Sequence, residues 1–419
     1  MINENVILLM KKTTNLTRMA LLLAGIVMAG SAEAQERVIR VVDMDSEMSV
    51  ESQLGSDWQQ VDSLVLRGSV KSHEQLKPLV TCLREGQIVG VDASALRLPD
   101  DELSEIPFNM SGYWRPLRYL TLPAKLRRLG DGCLSDCSLV ELTVPEGVTE
   151  VGWMALADCK KLRQLRLPSS LRVIETDAFS GLTALEELVL PPHVQTIGME
   201  AFCLLGQGVT EVVLPAEVSE LGEMAFYRCE GLRRVVLPDG LTAIGKQAFW
   251  ACNVLTEVVW PHRLEAIGEG AFAVCNLQET VLPEELQMIG AYAFSSNRQL
   301  RRVVLPEGLR QMAASSFAKC ESLTSVTSLS TEPPMVEADA DFLPPAGATL
   351  YVPVGSVDAY RAAAYWGAFS DIKSIDVASL PGVLSGSAAS HRPYQLNGLS
   401  VTGSPRGVYI RGGRKFIRE

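Results

Sequence analysis

The sequence predicts a solenoid of α/β type, capped at both ends, with one short parallel strand in each coil of roughly 23 residues. Three observations predict it. A proline closing an apolar triplet recurs at Pro123, Pro145, Pro168, Pro191, Pro215, Pro238, Pro261, Pro283 and Pro306, in steps of 22, 23, 23, 24, 23, 23, 22 and 23 residues. A second apolar marker follows each proline by 11 residues, at Leu134, Leu156, Phe179, Phe202, Phe226, Phe249, Phe272, Phe294 and Phe317. A coil of this length cannot bury its own apolar face, so neighbouring coils must stack.

Before the array, residues 1–34 read as a signal peptide. Lys11, Lys12 and Arg18 precede the apolar run Met19 to Gly30, and Ala32-Glu33-Ala34 is a small-residue cleavage site. The alternative is an uncleaved N-terminal anchor, although the run is short for a bilayer span. Residues 35–116 are the expected N-terminal cap with degenerate repeats. Val61 to Leu66 and Ile88 to Asp92 read as its strands. Ser72 to Arg84 reads as a helix, with Ser72 as N-cap and Leu76, Leu79, Val80 and Leu83 on one face. Pro78 stands inside it, where proline tends to kink or end a helix.

The array itself occupies residues 117–330, and the unit from Leu232 to Cys252 shows its pattern in full. Leu232, Val235 and Leu237 belong to a strand with alternating in and out positions. Pro238 ends the strand, because proline cannot donate to a ladder. Leu241 and Ile244-Gly245 turn the chain back under the sheet, and Ala248-Phe249 fills the core on the far side. This pattern resembles the BspA-like class of bacterial leucine-rich repeats. The resemblance implies a leucine-rich repeat fold in an exported or surface-exposed binding protein, some members of the class being adhesins. It implies no particular ligand. The first two units depart from the pattern, with Leu134 and Leu156 in place of phenylalanine.

Residues 331–378 are the expected C-terminal cap. Leu350 to Pro353 is one more strand, and Val357, Tyr360, Ala364, Trp366, Phe369 and Ile372 supply an apolar, partly helical cover. Residues 379–392 are rich in Ser, Gly and Ala without a period and read as a linker. Residues 393–419 read as a small β tail. Asn397-Gly398 and Gly412-Gly413 are turn signals, and Val408 to Ile410 can pair with Lys415 to Ile417. The tail resembles the sorting segments of type IX secreted bacterial proteins. The alternative is a β extension of the cap.

Composition removes several functions. The formal charge of −11 argues against a duplex nucleic-acid binder, which needs a basic surface. Four histidines and no C-x-x-C pair leave little for a zinc site. The acidic run Glu337 to Asp341 lacks the glycine and terminal glutamate of an EF-hand and reads as a solvated loop. No P-loop, G-x-S-x-G or H-E-x-x-H motif is present. No metal, no cofactor and no enzymatic activity are expected. Six of the nine cysteines, Cys137, Cys159, Cys229, Cys252, Cys275 and Cys320, share one repeat position, where Leu182, Leu205 and Asn297 stand in other coils. That substitution pattern favours a buried ladder, while disulfides between neighbouring coils stand as the alternative.

The strand pattern also says which side chains leave the core. The third strand position carries Glu187, Glu211, Arg234, Glu257, Glu279 and Arg302 in successive coils, and the fifth carries Val189, Val213, Val236, Val259, Val281 and Val304. A valine row edged by carboxylates is the candidate binding strip, about 40 Å long over nine coils at strand spacing. β-branched residues also simply suit a pleated surface. The expected function is an exported or cell-surface protein that binds a protein or glycan partner through this face. The alternative is a structural or assembly component of the cell envelope.

Overall fold

Each coil is shaped by where its sequence lets the backbone pair. The computed structural model describes residues 38–103, 117–337, 344, 347–376, 394–395, 407–411 and 414–418. The predicted signal peptide, most of the acidic run and the linker at 379–392 lie outside the described residues, as do the two glycine turns of the tail. The chain divides into a unit ending at Val38 and a second unit, Ile39–Glu419. The second unit is a parallel β-solenoid of about 14 turns with little helix.

Its first coils are long enough to carry helices. Ile39–Asp43, Ser63–Ser69, Gly90–Arg97 and Tyr119–Thr121 form a parallel sheet in that order. Between the first two lies the helix Val50–Leu54, whose N-cap Ser49 accepts a hydrogen bond from the Ser52 amide. Between the next two, a 3₁₀ turn His73–Leu76 runs into the helix Lys77–Glu85. Pro78 therefore falls in the helix's first turn. Its missing N–H would have had no partner there, so it starts the helix rather than kinking it.

In the regular coils the six-residue strand motif forms three- to five-residue strands of a long ladder. Its segments are Glu141–Thr143 with Gln164–Arg166; then Glu211–Val213, Arg234–Val236 and Glu257–Val259; then Glu279–Val281, Arg302–Leu305, Ser325–Ser328, Thr349–Pro353 and Asp371–Ile375. The solenoid is as expected, but each regular coil adds a second strand. Two-residue strands such as Val173–Ile174 and Thr196–Ile197 stack into a short ladder. Here the isoleucine points into the core, and where glycine follows it, as Gly198 follows Ile197, the coils close up. A Cβ on Gly198 would lie 2.6 Å from the Glu175 carbonyl carbon.

The third side of each coil is a turn, not a helix. Residues two before and two after the apolar marker take the left-handed conformation, as at Met154 (φ 51°) and Asp158 (φ 59°) around Leu156. A left-handed residue every fourth position stops an α-helix from propagating. The alternation turns three amides toward the next coil: Met154, Leu156 and Asp158 donate to the carbonyls of Thr176, Ala178 and Ser180 at 3.0, 2.9 and 2.8 Å.

Between these sides runs the core. Phe179, Phe202, Phe226, Phe249, Phe272, Phe294 and Phe317 stack ring on ring, with centroids 5.2–5.8 Å apart and near-parallel planes. Beside them lies the thiol ladder. All nine cysteines are free and buried. Cys229, Cys252 and Cys320 donate to the carbonyls of Phe202, Phe226 and Phe294, each at 3.2 Å, one coil back. Asn297 does the same with its Nδ2, which reaches the Phe272 carbonyl at 2.8 Å. The repeat position accepts either a small donor, as Cys and Asn supply, or a plain apolar side chain, as Leu182 and Leu205 show.

The long ladder is interrupted after Gln164–Arg166, where the next coil forms no strand at Glu187, and where coil length changes within the array. The steps Tyr119 to Glu141 and Glu257 to Glu279 are 22 residues, Glu187 to Glu211 is 24, and the ladder breaks at each. The residue gained or lost lies between the apolar marker and the next long-ladder strand, so the offset is felt there. The short ladder runs on through these coils and breaks elsewhere, between Glu220–Leu221 and Ala243–Ile244.

At the C-terminal end, Tyr360 and Trp366 close the core. The Tyr360 hydroxyl lies 2.7 Å from Ser328 Oγ, and Trp366 Nε1 donates to the Pro334 carbonyl at 2.8 Å. In the tail, Gly407–Arg411 pairs antiparallel with Arg414–Arg418, placing Tyr409 opposite Phe416, and Tyr394–Gln395 joins the other edge. Among the described residues, no helix is long and apolar enough to cross a membrane.

Candidate interaction surface

The outward positions of the long ladder build the candidate surface. Parallel register aligns Glu211, Arg234 and Glu257 in one row and Val213, Val236 and Val259 in the next. A second block aligns Glu279 with Arg302 and Val281 with Val304. Glu187 and Val189 lie in the preceding coil, in a stretch that forms no strand. Val189, Val213, Val236 and Val259 are half-buried, and Val281 is 37% exposed.

Val304 departs from the expected strip. It is 0% exposed, as are Val303 and Leu305 on either side, and its ladder neighbour Thr327 is also buried. The strand Arg302–Leu305 is covered on both faces, the situation that favours an unbroken apolar run over strict alternation. The valine row therefore ends at Val281.

The charged row is not uniformly negative. Arg234 is buried, and its guanidinium bridges Glu257 at 2.8 Å and Glu211 on the other side. It ties three coils together and presents no net positive charge outward. Arg302 is half-buried, while Glu187 and Glu279 stand exposed. A second acidic rim follows the strand-ending prolines, at Glu217, Asp239, Glu284 and Glu285. Two of these carboxylates pair with histidine: Glu217 with His193 at 2.7 Å and Asp239 with His262 at 2.9 Å. The His193 hydrogen bond, helped by Gln195, holds Glu217 below the usual carboxylate range. Partial burial works against the Asp239 charge, but the backbone amide and ring of His262 still leave its pKa lowered. Both carboxylates stay ionised at neutral pH.

The strand pattern does not reveal one further feature. At the break between Glu257–Val259 and Glu279–Val281, Val258 and Trp260 are half-buried rather than buried. Trp260 stands where most coils carry leucine, and its ring packs edge-on to Phe272 at 5.1 Å and Phe294 at 6.3 Å. The readable signal was this one large residue in a leucine column, together with the 22-residue coil that follows it.

Elsewhere the polar clusters tie coils together. Arg128 holds Glu102 and Asp131 at 2.8 Å and Glu150 at 2.5 Å. Among the described residues, no group of three or more His, Cys, Asp or Glu side chains could hold a metal ion. The surface thus offers an apolar row between acidic rims, an arrangement suited to recognition by contact and charge.

A family model described as the BspA type leucine rich repeat region, in six copies, matches residues 105–233 and 219–332. Among solved structures, a leucine-rich repeat protein from Bacteroides ovatus is similar at 24% identity over 64% of this chain and 79% of its own, with a TM-score of 0.37. A leucine rich repeat protein of T. pallidum is similar at 28% identity over 45% of this chain and 78% of its own, with a TM-score of 0.36. The pneumococcal vaccine antigen PcpA is similar at 18% identity over 76% of this chain and 80% of its own, with a TM-score of 0.40. No curated protein matches this sequence.

Proposed function

The chain belongs to the BspA type leucine rich repeat family, and on that premise we propose that it is an exported, surface-located binding protein that engages a macromolecular partner through its long-ladder face. Solenoids of stacked repeats typically serve as interaction scaffolds rather than enzymes, because stacking repeats an outward column over many coils. The observation that carries the reading is the register-aligned valine row between two acidic rims. Export is supported by the basic, apolar and A-x-A segments of the first 34 residues. An adhesive role follows if the partner belongs to a host surface.

The test is a double variant, Val236→Lys with Val259→Lys, in the full chain. Binding is measured by surface plasmon resonance against a panel of purified extracellular proteins and glycans. The variant is expected to lose the response of whichever member binds the parent, while its thermal midpoint moves by less than about 2 °C, as for surface changes generally. Retained binding by a folded double variant sinks the proposal.

A further inference from the structure

Resting on that reading, we propose that the partner presents a basic amphipathic α-helix, laid along the valine row and anchored at the break beside Trp260. The first argument is spacing. Successive coils place one valine about every 4.8 Å along the row. A helix repeats its apolar stripe about every 5.4 Å, whereas an extended chain returns a side chain to the same face about every 6.8 Å. Over the three intervals from Val213 to Val281, a helix drifts by about 2 Å and an extended strand by about 6 Å. Only the helix sets one apolar side chain on each coil.

The second argument is charge. Carboxylates flank the row on both sides, Glu279 in the third-position column and Glu284 and Glu285 beyond the proline, all exposed. Of the two cations in the column, Arg234 is held by Glu211 and Glu257, and Arg302 lies one coil beyond Val281, where the row has ended. A helix with Lys or Arg on both shoulders of its apolar stripe would meet a carboxylate on either side. The third argument is the break itself. Val281 is the most exposed valine of the row, and Trp260 is half-buried at the break between two strands that do not pair with each other. Half-exposed aromatics in such recesses are common binding anchors.

The experiment uses four synthetic labelled peptides of 18 residues and the full chain, read by fluorescence anisotropy. One peptide has leucines at helical spacing with lysine shoulders. The second has the same composition in strict alternation, the third has glutamate shoulders, and the fourth is a scrambled control. Only the first is expected to bind, with affinity falling as salt rises. Val259→Lys should weaken it by about tenfold or more. Trp260→Leu, which restores the residue of neighbouring coils, should weaken it without disturbing the fold. Glu279→Lys should weaken the lysine peptide and strengthen the glutamate one. Equal binding of the alternating or glutamate peptide, or no binding of the first, overturns the helix assignment. If the first peptide fails while Val236→Lys with Val259→Lys still abolishes panel binding, the helix falls and the binding face stands.

Discussion

At the scale of single residues, the thiol ladder is where the sequence is most economical. In several coils a buried marker carbonyl receives a side-chain donor, and Cys252 or Cys320 supplies one without bulk. Asn297 goes further, since its Oδ1 also accepts the Leu277 amide at 3.1 Å. Asn297→Leu should therefore cost about 2–3 kcal/mol in urea unfolding, because it strands a buried amide and a carbonyl, while Asn297→Cys should cost less. The thiols also carry a pH signature. Burial is the first cause that pushes Cys203 and Cys320 up to about 12 from 9.0. The unfolded chain can release those protons from about pH 9 upward and the folded chain cannot, so stability is complete below that pH and declines above it. Urea midpoints between pH 8 and 10.5 should fall, and fall less steeply in Cys320→Ala. A flat profile in the parent would show that the thiols ionise as readily folded as unfolded.

At the scale of the element, legibility depended on length. The long-ladder strand announces itself because six residues alternate around Val235 and Leu237, whereas two residues such as Thr196–Ile197 are too few to show a period. The turn side was hidden for another reason. Most of its left-handed positions hold residues such as Met154, Glu200 or Gln247, with glycine only at Gly132, Gly181 and Gly270, and the non-glycine residues are held there by the coil-to-coil hydrogen bonds. Val304 shows the limit of the candidate strip: alternation gives a side chain's direction, and only the neighbouring strands decide whether that direction meets solvent. Trp260 was unread because its exposure comes from a ladder break, which no single coil reveals. Two element-scale substitutions test the packing. Gly206 lies in the 24-residue coil, and a Cβ there would sit 1.8 Å from the Thr183 carbonyl oxygen. Gly206→Ala should force the coils apart and cost more than about 1–3 kcal/mol of ordinary overpacking. Phe249→Ala removes a ring with neighbours on both sides and should cost about 3–5 kcal/mol, measured by the same urea titration.

At the scale of the whole molecule, stability is shared out between neighbours, as in any stacked array. The C-terminal end is therefore sensitive out of proportion to its size. Tyr360→Phe removes the hydroxyl that meets Ser328 and the Ser330 carbonyl, and it should lower the thermal midpoint by several degrees, detected by circular dichroism. The interruptions of the two ladders have a different consequence. Wherever the long ladder is cut, the short ladder runs through; where the short ladder is cut, after Leu221, the long ladder joins Glu211–Val213 to Arg234–Val236. The joints are staggered, as in a brick wall laid in running bond. No flat crack can pass between two coils through seams alone, so a force drawn along the stack must always shear at least one intact course.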